Sequence, residues 1–158
     1  MYKQIELHYS DGSLRSTPFK ATATTSIRYK QFAKKELNRC ITGIINLVKT
    51  ESYQELMELT EVNENGERVM KEINLGDMSE GARDTMIALL NSEEIEDLKK
   101  IAYVMYKQGT GSDMTTLNND DYLDWLDNYE PMEFINIIGD IIELYFGNVN
   151  MSVESKKK

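Results

Sequence analysis

The sequence predicts a mainly α (α+β) fold: an N-terminal β-hairpin followed by a compact bundle of about four to six helices. Three observations carry that expectation. Apolar residues alternate at period two near the start, they recur at spacings of three and four from Ser26 onwards, and a strongly apolar stretch behind Pro131 stands near the end. With 158 residues, 41% hydrophobic and 28% charged, the chain is long enough to bury a core without staples. The expected organisation is one globular domain over residues 1–147 and a flexible polar tail over 148–158.

The hairpin comes first. Ile5 and Leu7 share one face, Ser10, Asp11, Gly12 and Ser13 supply a turn, and Phe19, Ala21 and Ala23 resume the alternation. Pro18 cannot donate to a ladder, so it belongs at an edge or a strand start. His8 has no second histidine, cysteine or serine nucleophile nearby and reads as a rim residue.

Helical spacing then takes over. Leu37, Ile41, Ile44, Ile45 and Val48 form one buried face, Thr25 or Ser26 can cap the start, and Asn38 and Gly43 are the weak points. Arg28, Lys30, Lys34, Lys35 and Arg39 fall on the other side, as a solvated face or a docking face for an acidic partner. Residues 52–77 are the least legible: a weak helical stripe leads to the Asn65-Gly66 turn, and the favoured reading is a helix before that turn with a loop or short strand after it, a second hairpin being the alternative. Ala82, Met86, Leu89 and Leu90 mark a further helix behind Ser79. The clearest amphipathic helix follows Ser92. Ile95, Leu98, Ile101, Ala102 and Met105 make its apolar face, acids fill its first turn, and Lys107 and Gly109 close it.

The C-terminal stretch holds a short acidic helix behind Asp120 and Asp121 that carries Trp125, then a helix expected over residues 131–146, started by Pro131 and stopped by Gly147. Glu133, Asn136, Asp140 and Glu143 form its one polar stripe. The remaining surface is apolar over more than the ~100° arc that a surface helix buries. Two readings stay open: a central core helix, or a face partly held for a partner, with Phe134, Ile138, Ile141, Ile142 and Tyr145 as the partner-binding candidates.

The net charge of −9 repels nucleic acid and anionic membranes from the molecule as a whole. Locally, residues 20–49 carry seven bases against the one acid Glu36, while residues 120–143 carry eight acids and no base. The single cysteine, Cys40, excludes an intrachain disulfide and reads as a small core residue. No segment approaches the roughly 20 apolar residues of a bilayer span, and there is no secretory signal, so the cytoplasm is expected. Asn118 to Asp121 lacks a calcium-loop ligand pattern, Gly109 and Gly111 are not a phosphate loop, and no zinc or nucleophile motif appears. No catalytic, metal or cofactor residue is assigned, and the chain is not expected to be an enzyme.

The stretches IEDLKKIAYVMYKQ and DYLDWLDNYEPMEFINIIGDIIELYFGN, the terminal SKKK and, more loosely, FKATATTSIRYKQF resemble the tail assembly chaperones of long-tailed bacteriophages of Gram-positive bacteria. The resemblance covers about half of the chain well and finds no landmark over residues 52–78. It implies a chaperone that binds the tape measure protein and keeps it soluble while tail tube protein assembles around it, in the host cell cytoplasm and absent from the mature virion. Contact with tail tube protein and self-association are compatible with that role. It also implies a second, longer product made by ribosomal frameshifting, for which Lys156, Lys157 and Lys158 are either the trace of a slippery adenine run or simply a polar tail. The alternatives are a structural tail or head-completion subunit and, from the basic segment, a regulatory nucleic-acid-binding protein.

Overall fold

The structure is a computed structural model that describes residues 1–58, 60–62, 68–70 and 79–146. In chain order the elements are β1 (Tyr2–His8), β2 (Leu14–Lys20), α1 (Thr25–Ala33), α2 (Leu37–Val48), α3 (Glu51–Met57), β3 (Thr60–Val62), β4 (Arg68–Met70), α4 (Glu80–Leu90), α5 (Glu93–Gly109), α6 (Asn119–Leu126), α7 (Glu133–Asn136) and α8 (Ile138–Phe146). The expected α+β class is what forms: mostly helix, led by an antiparallel hairpin.

Helix α5 is the hub. Ser92 Oγ accepts from Ile95 N at 3.2 Å, three glutamates stand in the first turn and Lys107 in the last, so both ends suit the helix dipole. Residues 101–105 are all buried, which means that the middle of this helix is covered on every side rather than along one stripe. The β1–β2 hairpin, α1, α2, α6, α7 and α8 all pack against it.

The hairpin registers Ile5 opposite Thr17 and Leu7 opposite Arg15, with Ile5, Leu7, Phe19 and Thr17 turned inward. Gly12 takes the positive φ of 87° that the turn needs. Exposed Asp11 accepts from Ser13 Oγ at 2.6 Å and Ser13 N at 2.9 Å, and these bonds bring its carboxyl down to about 2. The hairpin docks so closely on the last turn of α5 that a Cβ on Gly109 would lie 2.8 Å from Pro18 O. Gly109 is therefore set by the approach of a strand and not by a left-handed cap. Pro18, facing Gln4, sits in a sheet of two strands, where each strand is an edge.

The structure corrects several boundaries. The helical run from Ser26 to Lys49, open in the sequence to an interruption at its weak points Asn38 and Gly43, breaks instead at Lys34, which adopts φ 62°; Asn38 and Gly43 both lie within α2. Its N-cap is Thr24, without a side-chain bond, while Thr25 is buried and donates to Gln108 Oε1 at 2.7 Å. In the middle of the chain the favoured helix forms as α3 but ends at Met57, and β3 and β4 then pair antiparallel, so the hairpin alternative replaces the loop or lone strand expected around the turn. The Asn65-Gly66 turn, Gly147 and the tail over 148–158 lie outside the described residues.

The helix expected over 131–146 is two helices. Pro131 lies in the preceding turn, and Ile137, at φ −108° and ψ 12°, separates α7 from α8. Asn136, Ile137 and Gly139 are each weaker helix formers than alanine or leucine, so the segment has little local reason to stay straight. This split and the break at Lys34 turn six helical segments into eight helices among the described residues. The expected polar stripe divides accordingly: Glu133 is buried, Asn136 is half-buried, Asp140 pairs with Lys3 at 2.8 Å, and Glu143 is exposed.

A slab of aromatic rings locks these elements together. Trp125 on α6 stacks at centroid distances of 5.6 Å on Tyr103, 5.4 Å on Tyr106, 5.0 Å on Tyr129 and 5.5 Å on Phe134. Phe32 of α1 adds contacts to Tyr103 and Tyr122. Among the described residues, no helix is long and apolar enough to cross a membrane.

Candidate partner-binding groove

The partner face expected on the C-terminal helix is where the sequence and the fold part. Phe134, Ile138, Ile141 and Ile142 are 1, 1, 0 and 6% exposed and belong to the core, and only Tyr145 keeps accessible surface. The core reading of this helix is the one that the fold realises, because its wide apolar surface is covered by α5, α7 and β1. Tyr145 instead points towards the start of α2, its hydroxyl 3.4 Å from Asn38 Oδ1.

Among the described residues, an open surface lies between the end of α1, the start of α2 and the first turns of α5. It is a groove of about 460 Å³ lined by Lys30, Lys34, Lys35, Glu36, Arg39, Cys40, Gly43, Glu93, Glu94 and Asp97. The local sequence explains its shape. Lys34 ends α1 in the left-handed region, its N–H bonded to Lys30 O at 2.9 Å, and the chain reverses over Lys35 and Glu36 before α2 begins. Two consecutive helices are thereby set at an angle with their polar sides facing a common space.

The floor of the groove is charge-balanced. Lys35 Nζ bridges Glu93 Oε2 at 2.6 Å and Asp97 Oδ1 at 2.9 Å, and Lys30 pairs with Glu36. The hydrogen bonds from Lys35 to Glu93 and then Asp97 push the ammonium above its ordinary range, and the same contact holds Glu93 below the usual carboxylate value. Asp97 is 7% exposed, so its charge depends on Lys35 for compensation. Beneath them, Tyr29 Oη donates to Cys40 Sγ at 3.2 Å. Burial pushes the Cys40 thiol up, which makes it a packing residue rather than a ready nucleophile.

The rim is different. Lys34 and Arg39 are exposed and, among the described residues, have no ion-pair partner. Ile27, 57% exposed, and Lys30 lie three residues apart on α1, and Lys34, seven residues after Ile27, caps the end of that helix. The basic run was legible in the sequence. The pairing of Lys35 with Asp97, 62 residues away, was not, because no local spacing announces it.

Comparison of the chain with protein families, curated proteins and solved structures found no match. Cations on the rim and acids on the floor, with Ile27 exposed elsewhere on α1, suit a protein segment carrying acids and apolar residues. A phosphate backbone would meet the floor acids Glu93, Glu94 and Asp97 as like charges.

Proposed function

We propose that the chain is a binding protein of the tail assembly chaperone kind, which holds the tape measure protein in soluble form through the groove between α1, α2 and α5. The observation that carries this reading is the rim, where Lys34 and Arg39 are exposed and, among the described residues, without ion-pair partners, while Ile27 is exposed on the helix that Lys34 caps. A long amphipathic helix with acids and apolar residues three and four apart meets such a rim with both kinds of contact. Exposed charge pairs contribute only about 0–1 kcal/mol each, so a segment held this way is released readily as the tail is built. On this reading the work is reversible binding in the host cytoplasm, without a catalytic step or cofactor, and the protein is missing from the mature virion.

Co-expression with the tape measure protein of the same genome tests it. The tape measure protein should shift to the soluble fraction and co-purify with the chain, and mass spectrometry of purified particles should not find the chain. A tape measure protein that stays insoluble, or a chain present in particles at stoichiometric amounts, would turn the assignment to a structural subunit. Salt-sensitive DNA binding at physiological ionic strength would turn it to a nucleic-acid role.

A further inference from the structure

The end of strand β1 and the start of α7 meet away from the groove. Tyr9 and Tyr129 form an antiparallel bridge, and Glu130 N donates to His8 O at 3.1 Å, so the chain running into α7 is held alongside the strand end. On this frame Glu133 engages His8 twice. His8 N donates to Glu133 Oε2 at 2.8 Å, and His8 Nδ1 lies 2.9 Å from Glu133 Oε1.

Glu133 is 6% exposed, and among the described residues its only ion-pair partner is His8. A buried carboxylate needs a counter-charge, because removing an ion from water costs several kcal/mol even after relaxation. The exposed Glu130 adds a second carboxylate here: one ligand atom from each of His8, Glu130 and Glu133 lies within 4.8 Å of the others.

We propose that His8, Glu130 and Glu133 form a site for a divalent cation of the zinc class, which serves as the counter-charge of the buried carboxylate. An imidazole nitrogen with two carboxylates is a donor set for borderline transition metals, whereas calcium and magnesium favour oxygen ligands throughout. Around a tetrahedral zinc with bonds of about 2.0–2.1 Å, neighbouring ligand atoms stand about 3.3 Å apart. The His8–Glu133 pair then opens by a few tenths of an ångström from 2.9 Å, and the exposed Glu130 carboxylate swings in, with water as the fourth ligand. Residues 120–143, with eight acids and no base, supply a local field that favours the cation. Bound metal would clamp the first strand to the C-terminal helices across 125 residues of sequence. The site shares no residue with the groove and does not depend on the chaperone reading.

Calorimetric titration of the metal-free full chain with zinc chloride, and visible absorption with cobalt(II), test the proposal. Binding of one cation per chain, a raised melting temperature and the cobalt bands of a low-coordinate site are expected. Glu130→Gln, which alters only an exposed side chain, should weaken binding by about tenfold or more, since even outer-shell partners are worth 10–100-fold. His8→Gln, checked for folding by circular dichroism, should abolish it. Absence of zinc binding by the wild-type chain, or equal affinity in both variants, would overturn the site.

Discussion

Helix α5 and the α1–α2 groove lie side by side and are built on opposite principles. The middle of α5 is wrapped by apolar and aromatic side chains from nearly every element, with no exposed residue between Ile101 and Met105. The groove is open, and its side chains meet as charge pairs in contact with water. The first arrangement gains from area removed from water and loses heavily when a group is deleted. The second gains little from each exposed pair and tolerates change at its rim, while the buried Asp97 still needs Lys35. Stability should therefore reside in the hub and recognition in the groove.

Substitution at the hub should give the largest effect. Trp125→Ala removes a buried ring that touches Tyr103, Tyr106, Tyr129 and Phe134, and should cost about 3–5 kcal/mol in urea unfolding. A loss under about 1 kcal/mol would mean that the aromatic slab is not the main support of the fold.

The glycines sharpen the same contrast. Gly109→Ala forces a Cβ against the backbone of Pro18 and Phe19 and should cost about 1–3 kcal/mol. Gly139→Ala meets open space inside a helix and should be neutral or stabilise by up to about 1 kcal/mol. Thermal melts of the two variants in opposite directions would support the close docking of the hairpin on α5.

A smaller effect depends on pH. Tyr103 Oη donates to Asp121 Oδ2 at 2.6 Å, and Lys107 lies 3.0 Å away. The Tyr103 bond first, and Lys107 with it, hold the Asp121 carboxyl below its ordinary 3.8. A lowered value in the folded state means that this contribution is complete above the ordinary value and is lost as pH falls through the lowered one. Asp121→Asn should thus be less stable than wild type by about 1 kcal/mol or less near pH 6, with the gap closing towards pH 3. Urea unfolding at both pH values measures it, and a gap that widens on acidification would contradict the assignment.

Local features of these regions were legible in the sequence because their causes are local. The Ser92 cap, the apolar spacing of α5 and the Gly12 turn each act within a few residues, and each forms where the pattern indicates. The breaks at Lys34 and Ile137 were not legible: Lys34 is an ordinary helix former that takes up the left-handed region, and the weak helix formers around Ile137 permit a break without requiring one. Nor did the apolar width of the last helix reveal its occupant. Phe134, Ile138, Ile141 and Ile142 look alike in sequence whether a partner or the chain's own core covers them, and the fold covers them itself. Of the groove, the basic rim was visible as a run of lysines and arginines, while its acidic floor comes from α5, some 60 residues later.

The groove should show the smallest effect on stability and the largest on binding. Lys34→Glu together with Arg39→Glu reverses two exposed charges that have no ion-pair partner among the described residues, and should change unfolding free energy by no more than about 0.5 kcal/mol. Co-expression of this double variant with the tape measure protein is the most direct measurement. A folded variant that no longer co-purifies with the tape measure protein or keeps it soluble is the predicted result. Undiminished co-purification by the folded double variant would contradict the groove as the binding surface.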